Sequence, residues 1–254
     1  MPGALHQKSF VLTVAESKRL IARAVRKHPR VNRALNDGIV AVAKGSTNAY
    51  IVEEMLGEGI NKAHYCTGVT KPPVGAEEAK TANKLPDVVL RHGERMEGVS
   101  ATEVVTEMGP GDVFIKGANA INYDKGQAGI LIGHPTGGTI GAAIGSVVAR
   151  RATLLMPVGL EKNIPGDLHE LYRDLTSVAG DGDGPTLWPV DGEIFTEIEA
   201  LRLDMGGGRA ALIGAGGIAG AEGSVRISVW GSPEHVSRAE GAVGSVRGEP
   251  PFFS

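Results

Sequence analysis

A short turn, Lys44-Gly45-Ser46-Thr47, separates the apolar run at residues 39–43 (IVAVA) from a helix-forming stretch at residues 48–56 that Gly57 and Gly59 end. An unbroken apolar run of this length suits a strand buried on both faces, and such strands belong to parallel sheets whose connections are helices. The same order returns in mid-chain: residues 128–132 read as strand, 133–138 as loop and 139–151 as helix. Together the two units predict an α/β fold, an open, mainly parallel sheet with helices on both faces (Rossmann-like). The 37 glycines of the 254 residues cluster in KGST, GHPTGGTIG, DMGGG and GAGGIAGAEG with no period. Collagen-like and linker readings fail on that ground, and glycine is left for turns.

The remaining elements follow from apolar period and punctuation. Leu20, Ile21, Ala24 and Val25 form a stripe on a helix over 14–27, which Pro29 interrupts. Residues 63–67, 87–90, 112–115 and 153–158 read as strands, and 69–86 as an exposed excursion. Ser100 and Glu103 make a capping box that opens a helix to about residue 108. Another helix runs from Pro165 to about Leu175, with Asp167 in its first turn. Residues 177–185 (SVAGDGDGP) form a linker between an α/β ligand-binding domain, 1–176, and a small α+β carboxyl-terminal part, 186–254. That part reads as strand 186–190, helix 193–203, strands 209–214 and 224–230, and helix 232–243, either a satellite or fused to the main sheet.

Charge and cysteine narrow the partners. No run of 18 apolar residues occurs, so no membrane span is expected. The single Cys66 rules out an intramolecular disulfide and a thiolate metal cluster, and fits a reducing, cytoplasmic setting. Residues 1–35 carry a local charge of +7, which leaves −10 for the rest. Without interleaved aromatics this reads as a packed helix with a solvated basic face rather than as a nucleic-acid arm. The seven histidines are scattered and no metal motif occurs, so no metal site is expected and no cofactor is indicated.

Three constellations carry candidate chemistry. Gly45, Ser46 and Thr47 bring backbone N–H groups and hydroxyls to a helix N-terminus where an anion is favoured, and Lys44 adds a charge; the alternative is a simple helix cap. Gly133-His134-Pro135-Thr136-Gly137-Gly138-Thr139 permits a second anion nest, with His134 titrating near neutrality or serving only as a hydrogen-bonded structural group. The stretch from Lys116 to Lys125 leaves the carboxyl end of the strand at 112–115, where open parallel sheets place ligands. Within it Lys116, Asn119 and Asp124 could act on a substrate, or Asp124 could merely solvate a turn. Residues 214–223 superficially match a dinucleotide fingerprint, but a strand at Val225–Trp230 follows, so a glycine-rich hairpin is the better reading.

Gly45-Ser46-Thr47 and Gly117-Ala118-Asn119 resemble motifs of the superfamily of ribose-5-phosphate isomerases, glucosamine-6-phosphate deaminases, CoA transferases and initiation-factor-2B-like proteins. Thr136-Gly137-Gly138-Thr139, followed by Leu155–Lys162, is similar to the lactate-utilisation branch of that superfamily. The resemblance spans roughly residues 15–175. It implies binding of a small anionic metabolite, isomerase- or transferase-like chemistry, and a homo-oligomer. Asn119 stands where the sugar-phosphate isomerases carry an acid, and an amide is no general base. Glu161 matches the CoA-transferase glutamate only by distant analogy. Two functions follow as expectations. One is an enzyme acting on a phosphorylated or carboxylated metabolite, with Ser46, Thr47 and Gly137–Thr139 on the anion, Lys44 or Lys116 on a carbonyl, and His134 or Asp124 moving the proton. The other is a non-catalytic sensing or assembly protein that keeps the anion pocket.

Overall fold

The computed structural model describes residues 5–68, 70, 84–178 and 184–251 of the chain. In chain order the elements are β1 (His6–Leu12), α1 (Val14–Lys27), α2 (Pro29–Asp37), β2 (Ile39–Val42), α3 (Ser46–Leu56), β3 (Val88–Arg91), β4 (Glu94–Arg95), α4 (Ala101–Val104), β5 (Val113–Ile115), β6 (Ala120–Asn122), β7 (Gln127–Ile132), α5 (Gly138–Ala149), β8 (Thr153–Pro157), α6 (Leu168–Ser177), β9 (Thr186–Val190), β10 (Glu193–Phe195), α7 (Glu197–Met205), β11 (Arg209–Ala215), β12 (Val225–Gly231) and α8 (Pro233–Gly244).

The result is a mixed α/β fold around a six-stranded, mostly parallel sheet of order β10-β8-β5-β2-β3-β4. Its first four strands run parallel, and β3 and β4 turn back antiparallel. All four residues of β2 are buried, as are all three of β5, so helices cover both faces. α1 packs on α3 and α7, while α4 lies against β2 and β3 and touches α5. The helix predicted over 14–27 has those bounds, opened by a Thr13–Glu16 capping box. Pro29 ends that pattern and then opens α2 at the position where its missing N–H costs nothing.

Local chemistry explains the departures from the sequence reading. The strand expected at 63–67 is a 3-10 turn, Lys62–Tyr65. Tyr65 is drawn into the sheet by its side chain instead: its hydroxyl donates to Val42 O and accepts from Val88 N at 3.0 Å, joining the ends of β2 and β3. The helix after Ser100 stops at Val104, and the chain continues in tighter turns (Glu107 N to Val104 O, 2.9 Å). Glu193–Phe195, read as the start of a helix, is instead the edge strand β10, because Thr196 caps α7 and pins its start there.

Residues 186–251 do not sit in one sheet. β9 joins β7 and β6 in a three-stranded antiparallel sheet, β10 extends the six-stranded sheet, and β12 and β11 pair with β1 in a third. Fusion to the main sheet, one of the two readings of this segment, is what β10 does. Most of the expected linker, residues 179–183, lies outside the described residues, as does most of the excursion at 69–86. The loop at 214–223 joins the antiparallel strands β11 and β12 as a hairpin. Among the described residues, no helix is long and apolar enough to cross a membrane.

Candidate active site

Because β2, β5, β8 and β10 run parallel, their carboxyl ends share one edge of the sheet. At that edge each strand hands over to polar residues: Lys44 after β2, Lys116 after β5, Glu161 and Lys162 after β8, and Thr196 and Glu197 after β10. The chain leaves β2 towards β3 on one side, whereas β5 leads to β8 and β10 on the other. Connections diverge between β2 and β5, and such a divergence leaves a crevice at the strands' carboxyl ends.

Asn48 ties the two strands together at this edge. Buried in the first turn of α3, its Nδ2 donates to Ala43 O at 2.7 Å and Ile115 O at 3.3 Å, tying β2 to β5. The ladder continues past the strands through Ala43 N to Ile115 O and Lys116 N to Leu155 O, both 3.0 Å. α3 itself starts with no side-chain cap, and the buried Thr47 Oγ1 has no hydrogen-bond partner. The Gly45 amide is not free for an anion, since it donates to Tyr65 O at 3.0 Å. Lys44 and Ser46 are half-buried at the rim.

Three amines and two carboxyls gather here. Lys18 enters from α1, buried, with its pKa lowered first by burial and then by Lys162, against the pull of Glu161 and Cys66. Lys116 is half-buried as a residue, but its amine lies deeper; burial and then Lys162 bring its pKa down to about 8. Lys162 Nζ is anchored on Ala118 O at 3.0 Å. Glu197, fully buried at the first position of α7, accepts from Leu160 N at 3.0 Å through Oε2 and has the Ser17 side chain beside it. Burial and then the Glu161 charge raise its pKa, and the favourable helix N-terminus does not offset them. Glu161 Oε2 is buried without a partner, folded back over Gly159. Burial pushes the Cys66 thiol up to about 11 despite Lys18 and Lys162, so it stays a thiol at neutral pH.

The other sequence candidates lie elsewhere. Asn119 completes the β6–β7 sheet: its N–H donates to Gly129 O at 2.9 Å and its Oδ1 accepts from Leu131 N at 3.1 Å. Asp124 is exposed in the turn between β6 and β7, the solvated alternative of its two readings. His134 is exposed as well, with Nδ1 accepting from Thr136 N at 3.3 Å and lying 2.9 Å from Thr136 Oγ1. Gly137 and Gly138 take positive φ values of 81° and 59° to open α5 before Thr139, and Gly137 packs against the Trp188 ring.

Sequence reasoning missed Lys18, Lys162 and Glu197. Lys18 carried a signal: with Ile21 and Val25 it occupies one helical stripe, so a lysine stood on the apolar face of α1. Lys162 and Glu161 follow β8 as Lys116 follows β5, a parallel visible in the chain. Glu197 had no such mark, being one of two glutamates in the first turn of α7.

Two open concavities of about 390 and 440 Å³ lie away from this edge. The first is lined by Arg30, Arg151 and Gly192 at the amino ends of β8 and β10; the second, by Leu5, Ile213 and Trp230, on the outer face of the β1–β12–β11 sheet. Neither gathers buried titratable groups as the crevice does, and perturbed groups at a strand-end crevice are the stronger mark of chemistry. Compared with family models, curated proteins and solved structures, the chain matches none of them.

Proposed function

We propose that the chain is an enzyme acting on a small phosphorylated or carboxylated metabolite, with isomerase- or transferase-like chemistry, at the crevice between β2 and β5. The observation that carries this reading is the gathering of Lys18, Lys116 and Lys162 with the buried pair Glu161 and Glu197. Neighbouring groups whose environments push lysine pKa values down and a carboxyl pKa up divide acid from base at neutral pH. In this arrangement the lysines and the open first turn of α3 hold the anion, Lys116 faces a carbonyl, and Glu197 with Glu161 moves the proton. These carboxyls supply what Asn119 cannot. The arrangement suits a Rossmann-like sheet and the superfamily resembled by Gly45-Ser46-Thr47, with a homo-oligomer as that resemblance implies and a cytoplasmic setting as the single cysteine suggests.

The test is a thermal-shift screen against inorganic phosphate, sugar phosphates, short hydroxy acids and CoA esters, followed by NMR turnover assays of whatever stabilises. A ligand at 100 times its Kd stabilises the native state by about 2.7 kcal/mol. Stabilisation with conversion supports the enzyme. Stabilisation without conversion favours the sensing protein instead, and no stabilisation by any class overturns the anion site.

A further inference from the structure

We propose that Lys116 is an imine-forming amine, placed to capture the carbonyl carbon of a small aldehyde or ketone that carries a phosphate or carboxylate. The inference rests on the crevice being an anion site and adds the covalent step made there. Its basis is how Lys116 is left unpaired. Nζ makes one long hydrogen bond, 3.3 Å, to Gly117 O beside it, and has no ion pair among the described residues. Lys27, Lys62 and Lys125 each sit within 3.1 Å of a carboxylate. A lysine serving only the fold needs such a partner, because an unpaired buried charge is costly.

Lys116 instead has a second amine beside it, that of Lys162, held on Ala118 O. Lys18 lies beyond, also coupled to Lys162. Desolvation beside another cation is how a protein raises the neutral, nucleophilic fraction of a lysine near physiological pH. The placement suits such a capture, since Lys116 follows the carboxyl end of β5 and the uncapped first turn of α3 is tied to Ile115, one residue away. The anion of the substrate and the reacting carbonyl would thus be held by adjoining elements.

The step balances within the crevice. The Nζ lone pair forms a bond to the carbonyl carbon, and the C=O π pair moves to oxygen, which takes a proton from the Lys162 ammonium. Nitrogen loses one proton to solvent. The hydroxyl takes a second proton, from solvent, and the nitrogen lone pair expels it as water, giving a protonated imine. One neutral amine, one carbonyl and one net proton become one iminium and one water, with no oxidant or reductant.

The experiment treats the full chain with glyoxylate and cyanoborohydride at neutral pH and maps the reduced adducts by peptide mass spectrometry. Lys116 is expected to be alkylated at least about tenfold faster than the exposed Lys8 and Lys27, as its larger neutral fraction requires. Lys162→Met should slow labelling at Lys116 about threefold or more and leave Lys27 unchanged. Labelling of Lys116 no faster than Lys27 overturns the proposal. Thermal shift with inorganic phosphate runs in parallel. Stabilisation by phosphate with slow Lys116 removes the imine but leaves the anion site, and failure of both removes the two together.

Discussion

Replacing Lys116 with Met should make the protein more stable while disabling its site. The structure places this amine inside without a counter-ion and beside Lys162, so its pKa falls from 10.5 to about 8. A lowered lysine pKa means that the unfolded chain binds the proton more tightly between those values. The stability carried by the neutral amine is therefore present above about pH 10.5 and lost as pH falls through 8. At neutral pH the wild type bears the whole penalty. At about 1.36 kcal/mol per pKa unit the shift corresponds to roughly 3 kcal/mol, reduced to about 2–3 because the residue keeps some contact with solvent. Met matches the volume and removes the charge. The variant should therefore melt about 4–12 °C higher at neutral pH, at about 2–4 °C per kcal/mol for a chain of this size. The assay is urea and thermal unfolding of both proteins from pH 7 to above pH 10, where the difference should vanish as the wild-type amine loses its proton. A variant less stable than wild type at pH 7, or a difference that does not change with pH, would mean that no buried charge is relieved by the substitution.

Glu197→Gln should lower turnover of any substrate found by about 10²–10⁴-fold, the usual weight of one acid–base group. Since burial raises the Glu197 pKa, the wild type loses stability as pH rises through the folded value, and the variant should gain on it over that rise in urea melts. Gly159→Ala sets a Cβ 1.8 Å from Glu161 Oε2 and must drive that carboxylate out of its fold-back. Stability should change by less than about 1 kcal/mol, because the side chain can swing, while turnover falls at least about tenfold. Arg19→Ala removes the guanidinium that binds Glu53, Glu54 and Glu249 and lies 4.8 Å from the Tyr50 ring. With Glu53 left buried and, among the described residues, only Lys62 to pair it, the loss should be about 2–3 kcal/mol by urea denaturation.

Where a segment's own chemistry settled its structure, the sequence could be read. The stripe of α1, the five-residue apolar run around β2 and the glycines that end α3 are local signals, and the structure follows them. β1 could not be read in this way. Its seven residues alternate only weakly, and what makes them a strand is β12, which lies more than 200 residues away in the chain. β10 is three residues long and acquires its identity from β8. The site divides along the same line. Lys116 and the turn at Gly45–Thr47 were found because strand ends in α/β folds are where ligands bind. Lys18 and Glu197 come from elements far apart in sequence, and only the packing of α1 on α7 and β8 brings them to the same edge.

The pairing of β1 with β12 also orders events during synthesis. Residues 6–12 leave the ribosome well before β12, their strand partner among the described residues, which is translated about 220 residues later. At roughly 5–20 residues per second, β1 waits on the order of ten seconds or more for it. The neighbouring α1 is then clasped by the same late segment: Glu16 accepts from Gly248 N at 3.1 Å, and Arg19 meets Glu249. Lys18 lies between those two residues. The nascent chain thus lacks this clasp on α1 for most of its translation, and the clasp closes only after α8 has been made.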